Sequence, residues 1–134
     1  MEAVGPSRAP QPRPTDAELE ILRIIWAHGA STVREVFDEM AKGRNAGYTT
    51  VLKFMQIMVE KGLLKRTEAH RVHTYHATAP REQTQRQLVK DLAERAFGGS
   101  PSSLMMQALA AQPASKLELA EIRKMLDEYE RGKK

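Results

Sequence analysis

Between Thr49 and Gln56 the chain sets two hydroxyls, an amine and an amide, on Thr49, Thr50, Lys53 and Gln56, at spacings that gather on one side of a helix. Their chemistry is recognition by hydrogen bonding. Hydroxyl and amide groups at the start of a helix reach base edges, the first free N–H groups attract phosphate, and Lys53 one turn on adds a positive charge. Val51, Leu52, Met55, Met58 and Val59 recur on the other side at the period of a helix with one buried face. The stretch from Thr49 to Lys61 therefore reads as an amphipathic helix whose outer face suits the major groove of a duplex.

Charge is distributed to match. Between Ala41 and His76 seven basic residues (Lys42, Arg44, Lys53, Lys61, Lys65, Arg66 and Arg71) face two acidic ones (Glu60 and Glu68), an excess of +5. From Thr15 to Met40 the balance reverses, with Arg23 and Arg34 against Asp16, Glu18, Glu20, Glu35, Asp38 and Glu39. A net charge of +4 over 134 residues favours polyanionic partners without defining one.

The elements that would carry this face can be read on either side of it. Thr15 with Glu18 forms a capping box after Pro14, and Leu19, Leu22, Ile25 and Trp26 share one face, which predicts a helix from about Asp16 to His28 ended by Gly29. Ser31 and Thr32 offer caps for a second helix with Val33, Val36, Phe37 and Met40 inward. Lys42 to Gly47 breaks that periodicity and supplies the turn of a helix-turn-helix, with Arg44 placed to meet phosphate. After the reading helix Gly62 supplies a left-handed stop, and Leu63 to Ala69 with Arg71 to Ala77 read as two strands joined by a polar turn. Arg71 at its tip, with Lys65, Arg66 and Tyr48, is expected to hold backbone and wing contacts. Tyr75 is expected to pack. His70, His73 and His76 recur every third residue, but strand alternation sends His73 to the opposite face from His76, so no metal site is expected.

Residues 1–14 hold four of the seven prolines and read as a disordered arm; residues 15–80 form the wing domain; residues 81–134 form a helical tail. Arg81 to Phe97 places Leu88, Val89, Leu92, Ala96 and Phe97 on one side before Gly98-Gly99. Ser100-Pro101 opens a shorter helix with Leu104, Met105, Ala108 and Leu109, and Ser115 with Glu118 boxes the start of a last one. In that last helix Leu119, Ile122, Leu126 and Tyr129 form a coiled-coil-like seam. At ~25 cal/mol per Å² of apolar burial, such a tail alone recovers too little against an ordering cost of ~1 to 2 kcal/mol per residue. A second copy supplies the missing core. The dimerisation residues expected are Leu88, Leu92, Phe97, Leu104, Met105, Leu109, Leu119, Ile122, Leu126 and Tyr129.

The ordered set Thr15-Asp16-Ala17-Glu18-Leu19-Glu20-Ile21-Leu22, Ile25-Trp26, Thr32-Val33-Arg34-Glu35-Val36, Tyr48-Thr49-Thr50-Val51 and Val59-Glu60-Lys61-Gly62-Leu63-Leu64, with Tyr75 beyond, resembles the penicillinase-repressor (BlaI/MecI/CopY) family of bacterial transcription regulators. The resemblance runs from about Pro14 to the C-terminus. It implies a mainly α fold with a small β-wing, in which a winged helix-turn-helix domain is followed by a helical dimerisation domain. It also implies repression by a homodimer on an inverted-repeat DNA operator. Release in that family follows cutting of the helix after the glycine pair, brought about by a membrane sensor peptidase. The aligned bond here is Gln107-Ala108, where the better-known members carry Asn-Phe.

With no cysteine, disulfides, thiolate metal sites and cysteine nucleophiles are excluded, as is the paired-cysteine tail of copper-responsive members. No apolar run approaches a membrane span and the N-terminus lacks a signal-peptide pattern, so a cytoplasmic, nucleoid-associated protein is expected. Catalytic sets at workable spacing are missing, and neither an enzyme nor a cofactor is expected. Two other classes stay open: a winged-helix module for protein contact, and a small-molecule-responsive regulator.

Overall fold

The computed structural model describes residues 13–43 and 45–132. The expected N-terminal arm, apart from Arg13 and Pro14, and the candidate contact Arg44 lie outside them. Among the described residues six helices and one hairpin follow in the order α1 (Asp16–His28), α2 (Val33–Ala41), α3 (Tyr48–Lys61), β1 (Leu64–Ala69), β2 (Val72–Ala77), α4 (Arg81–Ala96), α5 (Pro101–Ala111) and α6 (Lys116–Gly132). The architecture is mainly α with a small β-wing, and the chain divides into two compact units after Leu88.

Local chemistry sets most of these boundaries. The Thr15 hydroxyl accepts from the Glu18 N–H at 3.2 Å while the Glu18 carboxylate accepts from the Thr15 N–H at 2.9 Å, and Thr32 with Glu35 repeats the device at α2. Each box satisfies two N–H groups that a helix start leaves orphaned. α3 ends at Gly62, whose φ of 84° and ψ of 12° lie in the left-handed region that costs glycine nothing. There the Leu63 N–H turns back to donate to the Met58 carbonyl at 2.9 Å.

The core of the first unit is aliphatic and methionine-rich. Ile21, Leu22 and Ile25 from α1, Val33, Val36 and Met40 from α2, and Val51, Met55 and Met58 from α3 converge with Leu63, Leu64 and Tyr75. Tyr75 packs as expected, and its backbone does more. Its N–H and C=O exchange hydrogen bonds of 2.8 and 3.1 Å with Ser31, which ties the hairpin to the α1–α2 connection as a one-residue third strand. The hairpin exit is pinned twice. Thr78 donates from its hydroxyl to the Gly62 carbonyl at 2.7 Å, and the Trp26 indole N–H donates to the Ala79 carbonyl at 3.1 Å.

The strands are shorter than the sequence suggests. Leu63 is spent on the helix stop, and Arg71 belongs to the turn, because Ala69 pairs directly with Val72 and leaves only His70 and Arg71 between. Both turn residues have positive φ, 54° and 65°. That matches a tight two-residue loop that follows the right-handed twist of the strands.

In the second unit Gly98 and Gly99 turn the chain after α4, Ser100 caps α5 through the Ser103 N–H at 3.1 Å, and Ser115 with Glu118 forms the expected box at α6. α5 and α6 bury no side chain within the single chain. On α4 the most enclosed residue is Ala93, outside the expected apolar set, while Val89 and Leu92 stay exposed. The small methyl group faces inward where the Gly99 N–H returns to the Ala93 carbonyl at 2.8 Å.

Candidate nucleic-acid interface

α3 has two faces of opposite character. Val51, Met55 and Met58 are fully buried, whereas Thr49, Thr50, Lys53 and Gln56 are exposed. None of the four outer side chains forms a hydrogen bond or ion pair with a described residue, so their donors and acceptors face solvent uncommitted. Gly47 caps this helix without a side-chain hydrogen bond.

Tyr48, the first residue of α3, is held from α2. Its ring meets the Phe37 ring edge-on, with centroids 5.7 Å apart and planes at 71°. The Arg34 guanidinium lies 5.0 Å from the Tyr48 centroid and 5.5 Å from that of Phe37. Sequence reading missed Arg34, counting it only as a cation in an acidic segment. The pairing joins residues 14 positions apart in different helices, and no local pattern reports it.

The far end of α3 is tied as well. Lys61 Nζ donates to Glu18 Oε1 at 2.8 Å, the same carboxylate that caps α1, and Glu18 is only 3% exposed. Lys61 is thus committed inside the fold, and Lys42 is committed to Glu39 at 2.8 Å, so neither adds to the basic excess as the sequence count supposed. Lys53, Lys65, Arg66 and Arg71 make no ion pair with a described residue, and these four carry the positive surface.

Burial works to raise the Glu18 pKa, but hydrogen bonds from Lys61 and from the Thr15 backbone outweigh it and hold the carboxyl below its ordinary value. A depressed folded-state pKa gives stability that is full above the unfolded pKa and is lost as pH falls through the folded one. Glu18→Gln is expected to cost about 1.5 to 3 kcal/mol at neutral pH, the scale of a hydrogen bond to a charged group. It should also flatten the decline of stability on acidification. Urea unfolding followed by Trp26 emission at neutral and acidic pH checks both; an acid limb as steep as the parent's would refute the assignment.

On the hairpin, strand alternation separates residues adjacent in sequence. Lys65 pairs across from His76 and Arg66 from Tyr75, so Lys65 shares the outer face with Thr67, Thr74 and His76 while Arg66 lies on the core side, exposed beyond Tyr75. The two cations therefore address different directions. Thr67 Oγ1 lies 3.0 Å from Thr74 Oγ1 and 3.1 Å from His76 Nε2, while His73 lies 3.8 Å from Glu68 on the other face. Among the described residues no group of three histidine or carboxylate side chains is placed to hold a metal.

Of the expected pairing residues, Leu92, Met105, Leu109, Leu126 and Tyr129 are exposed and Leu88, Phe97, Leu104, Leu119 and Ile122 half-buried. Gln107 and Ala108 are exposed on α5. No described helix is long and apolar enough to cross a membrane.

A three-helix core, a third helix with an uncommitted polar outer face, and a hairpin that carries cations at its tip and sides define a winged helix-turn-helix protein. A family model described as penicillinase repressor matches residues 14–128, and the chain belongs to that family. Similar proteins include the penicillinase repressor of Bacillus licheniformis, 25% identical over 123 residues that cover 92% of this chain and 96% of that protein. The transcriptional regulator BlaI of Mycobacterium tuberculosis is 26% identical over 119 residues, covering 87% of this chain and 85% of the relative. A solution structure of the Bacillus licheniformis BlaI monomeric form in complex with the blaP half-operator matches 55% of this chain and 89% of its own, at 27% identity and a TM-score of 0.49.

Proposed function

We propose that this chain is a sequence-specific, DNA-binding transcriptional repressor that acts as a homodimer on an inverted-repeat operator. The observation that carries the reading is the solvent-facing set on α3, Thr49, Thr50, Lys53 and Gln56, none with a partner in the fold, on a helix whose opposite face is fully buried. Family membership and the names of the relatives support it. Each protomer lays α3 in a major groove, with Tyr48, Lys65, Arg66 and Arg71 on the backbone and the wing side. Arg44, in the connection before α3, is assigned to phosphate as well.

Pairing is assigned to the apolar residues of α4 to α6. In a single chain Met106, Leu117 and Met125 are each about 70% exposed, a display that soluble helices seldom leave uncovered. Two copies held together set the separation of two α3 helices, and so the spacing of the half-sites. Repression follows from occlusion of the promoter. Release is assigned to a membrane sensor peptidase, with cutting on α5 at Gln107-Ala108. Incubation with the matching peptidase that leaves the chain whole and DNA-bound would remove this last step.

Selection of fragments from the source genome tests the central reading. A shared inverted repeat is expected; retention without sequence preference would favour a protein-contact module instead. Against the selected duplex Lys53→Ala is expected to weaken binding at every sequence and lower its salt dependence, while a change at Thr50 alters sequence preference more than general affinity. If Lys53→Ala leaves affinity and salt dependence as they were, the docking of α3 is wrong.

A further inference from the structure

We infer that Arg34, on α2 and outside the reading helix, is a positioning residue for DNA binding that acts through Tyr48. The inference rests on the proposed function. Tyr48 opens α3, and a phenol that must meet a duplex gains from a single orientation before contact. The structure supplies that orientation from α2. Phe37 meets the ring edge-on at 5.7 Å, and the Arg34 guanidinium sits 5.0 Å from its centroid, within the range of cation–π attraction.

Arg34 is well placed for this and poorly placed for simpler roles. Its one ion pair with a described residue, Asp38, is long at 3.9 Å and exposed on both sides, so it contributes little to the stability of α2. The same guanidinium also covers Phe37 at 5.5 Å, so one cation serves both rings and joins α2 to the start of α3. A planar guanidinium can lie over two rings; an ammonium on a flexible stem holds them less well.

A double-mutant cycle on the genome-selected duplex, with labelled DNA and a salt series, tests the inference. Arg34→Ala is expected to weaken binding about five- to thirtyfold, the equivalent of one exposed cation–π contact in each of two protomers, with the salt slope of the parent. In a Tyr48→Ala background the same change should have no further effect, because nothing remains for Arg34 to hold. Arg34→Lys should fall between. Trp26 emission in urea confirms that each variant keeps the fold.

Three results would overturn it: an Arg34→Ala chain that binds as the parent does, an effect that persists in full without the Tyr48 ring, or a salt slope lowered by about 1.8, which would make Arg34 a phosphate contact itself in each protomer. Lys53→Ala run in parallel separates the layers. If Lys53→Ala weakens binding and Arg34→Ala does not, the inference alone fails; if Lys53→Ala has no effect, the DNA-docking reading fails and the inference with it.

Discussion

A chain carrying Leu126→Glu is expected to remain folded but sediment at the single-chain mass of 15.1 kDa, and to lose affinity for its duplex on the order of a hundred- to ten-thousand-fold. The magnitude follows from linked binding. When two reading helices are joined, the second half-site is engaged at high effective concentration, and a monomer forgoes that gain without losing any contact of its own. Leu126 suits the test because it is 47% exposed in the single chain, so the fold of one copy does not depend on it. A charge at a seam position must either be desolvated unpaired or hold the copies apart. Sedimentation at micromolar concentration reads the assembly, and urea unfolding followed at Trp26, in the first unit, reads the fold separately. A variant that stays dimeric, or a parent that is already monomeric, would remove the paired-helix account.

Arg71→Gly is expected to move two properties in opposite directions. At φ 65° Arg71 occupies a region that costs an ordinary side chain about 1 to 2 kcal/mol, and glycine relieves it. Part of that relief is offset by the greater freedom of glycine in the unfolded chain, so a net gain of about 0.5 to 1 kcal/mol is expected. Binding should suffer meanwhile. One phosphate contact per protomer, two per duplex, lowers the slope of log affinity against log salt by about 1.8, which at about 0.15 M salt is on the order of thirtyfold. Chemical denaturation and a salt titration on one preparation give both numbers. A glycine variant that is less stable would show that the turn is not strained, and one that binds with the parent's salt slope would show that Arg71 is not in contact. A tip built of His70 and Arg71, where Asn-Gly would fold more readily, fits side chains kept for use outside the fold.

The sequence made visible what is settled within a few residues. Thr15 with Glu18, Ser115 with Glu118 and Gly62 after α3 are local devices that stand where their patterns placed them, and of the two caps offered for α2, Ser31 and Thr32, it is Thr32 that serves. The outer face of α3 was legible for the same reason, since helical periodicity sorts Thr49, Thr50, Lys53 and Gln56 from Val51, Met55 and Met58 without knowledge of the partner elements. What could not be read depends on where distant elements meet. Glu18 serves its own helix and also neutralises Lys61, 43 residues on, and that pairing removes a cation the sequence count gave to the DNA side. Arg34 over Tyr48 is of the same kind. Lys65 and Arg66 stand together in sequence, but only the strand register reveals that they diverge.

The lack of internal partners on the outer face of α3 bears on how the scaffold could be retargeted. Exchanges at exposed positions away from packing and caps usually change stability by no more than about 0.5 kcal/mol. Thr49, Thr50, Lys53 and Gln56 can therefore be rewritten as a set, with the burden of fold integrity left to Val51, Met55, Met58 and the two clamps at either end of the helix. A library randomised at those four codons should yield mostly well-folded variants, and the frame becomes a reusable chassis for new addresses.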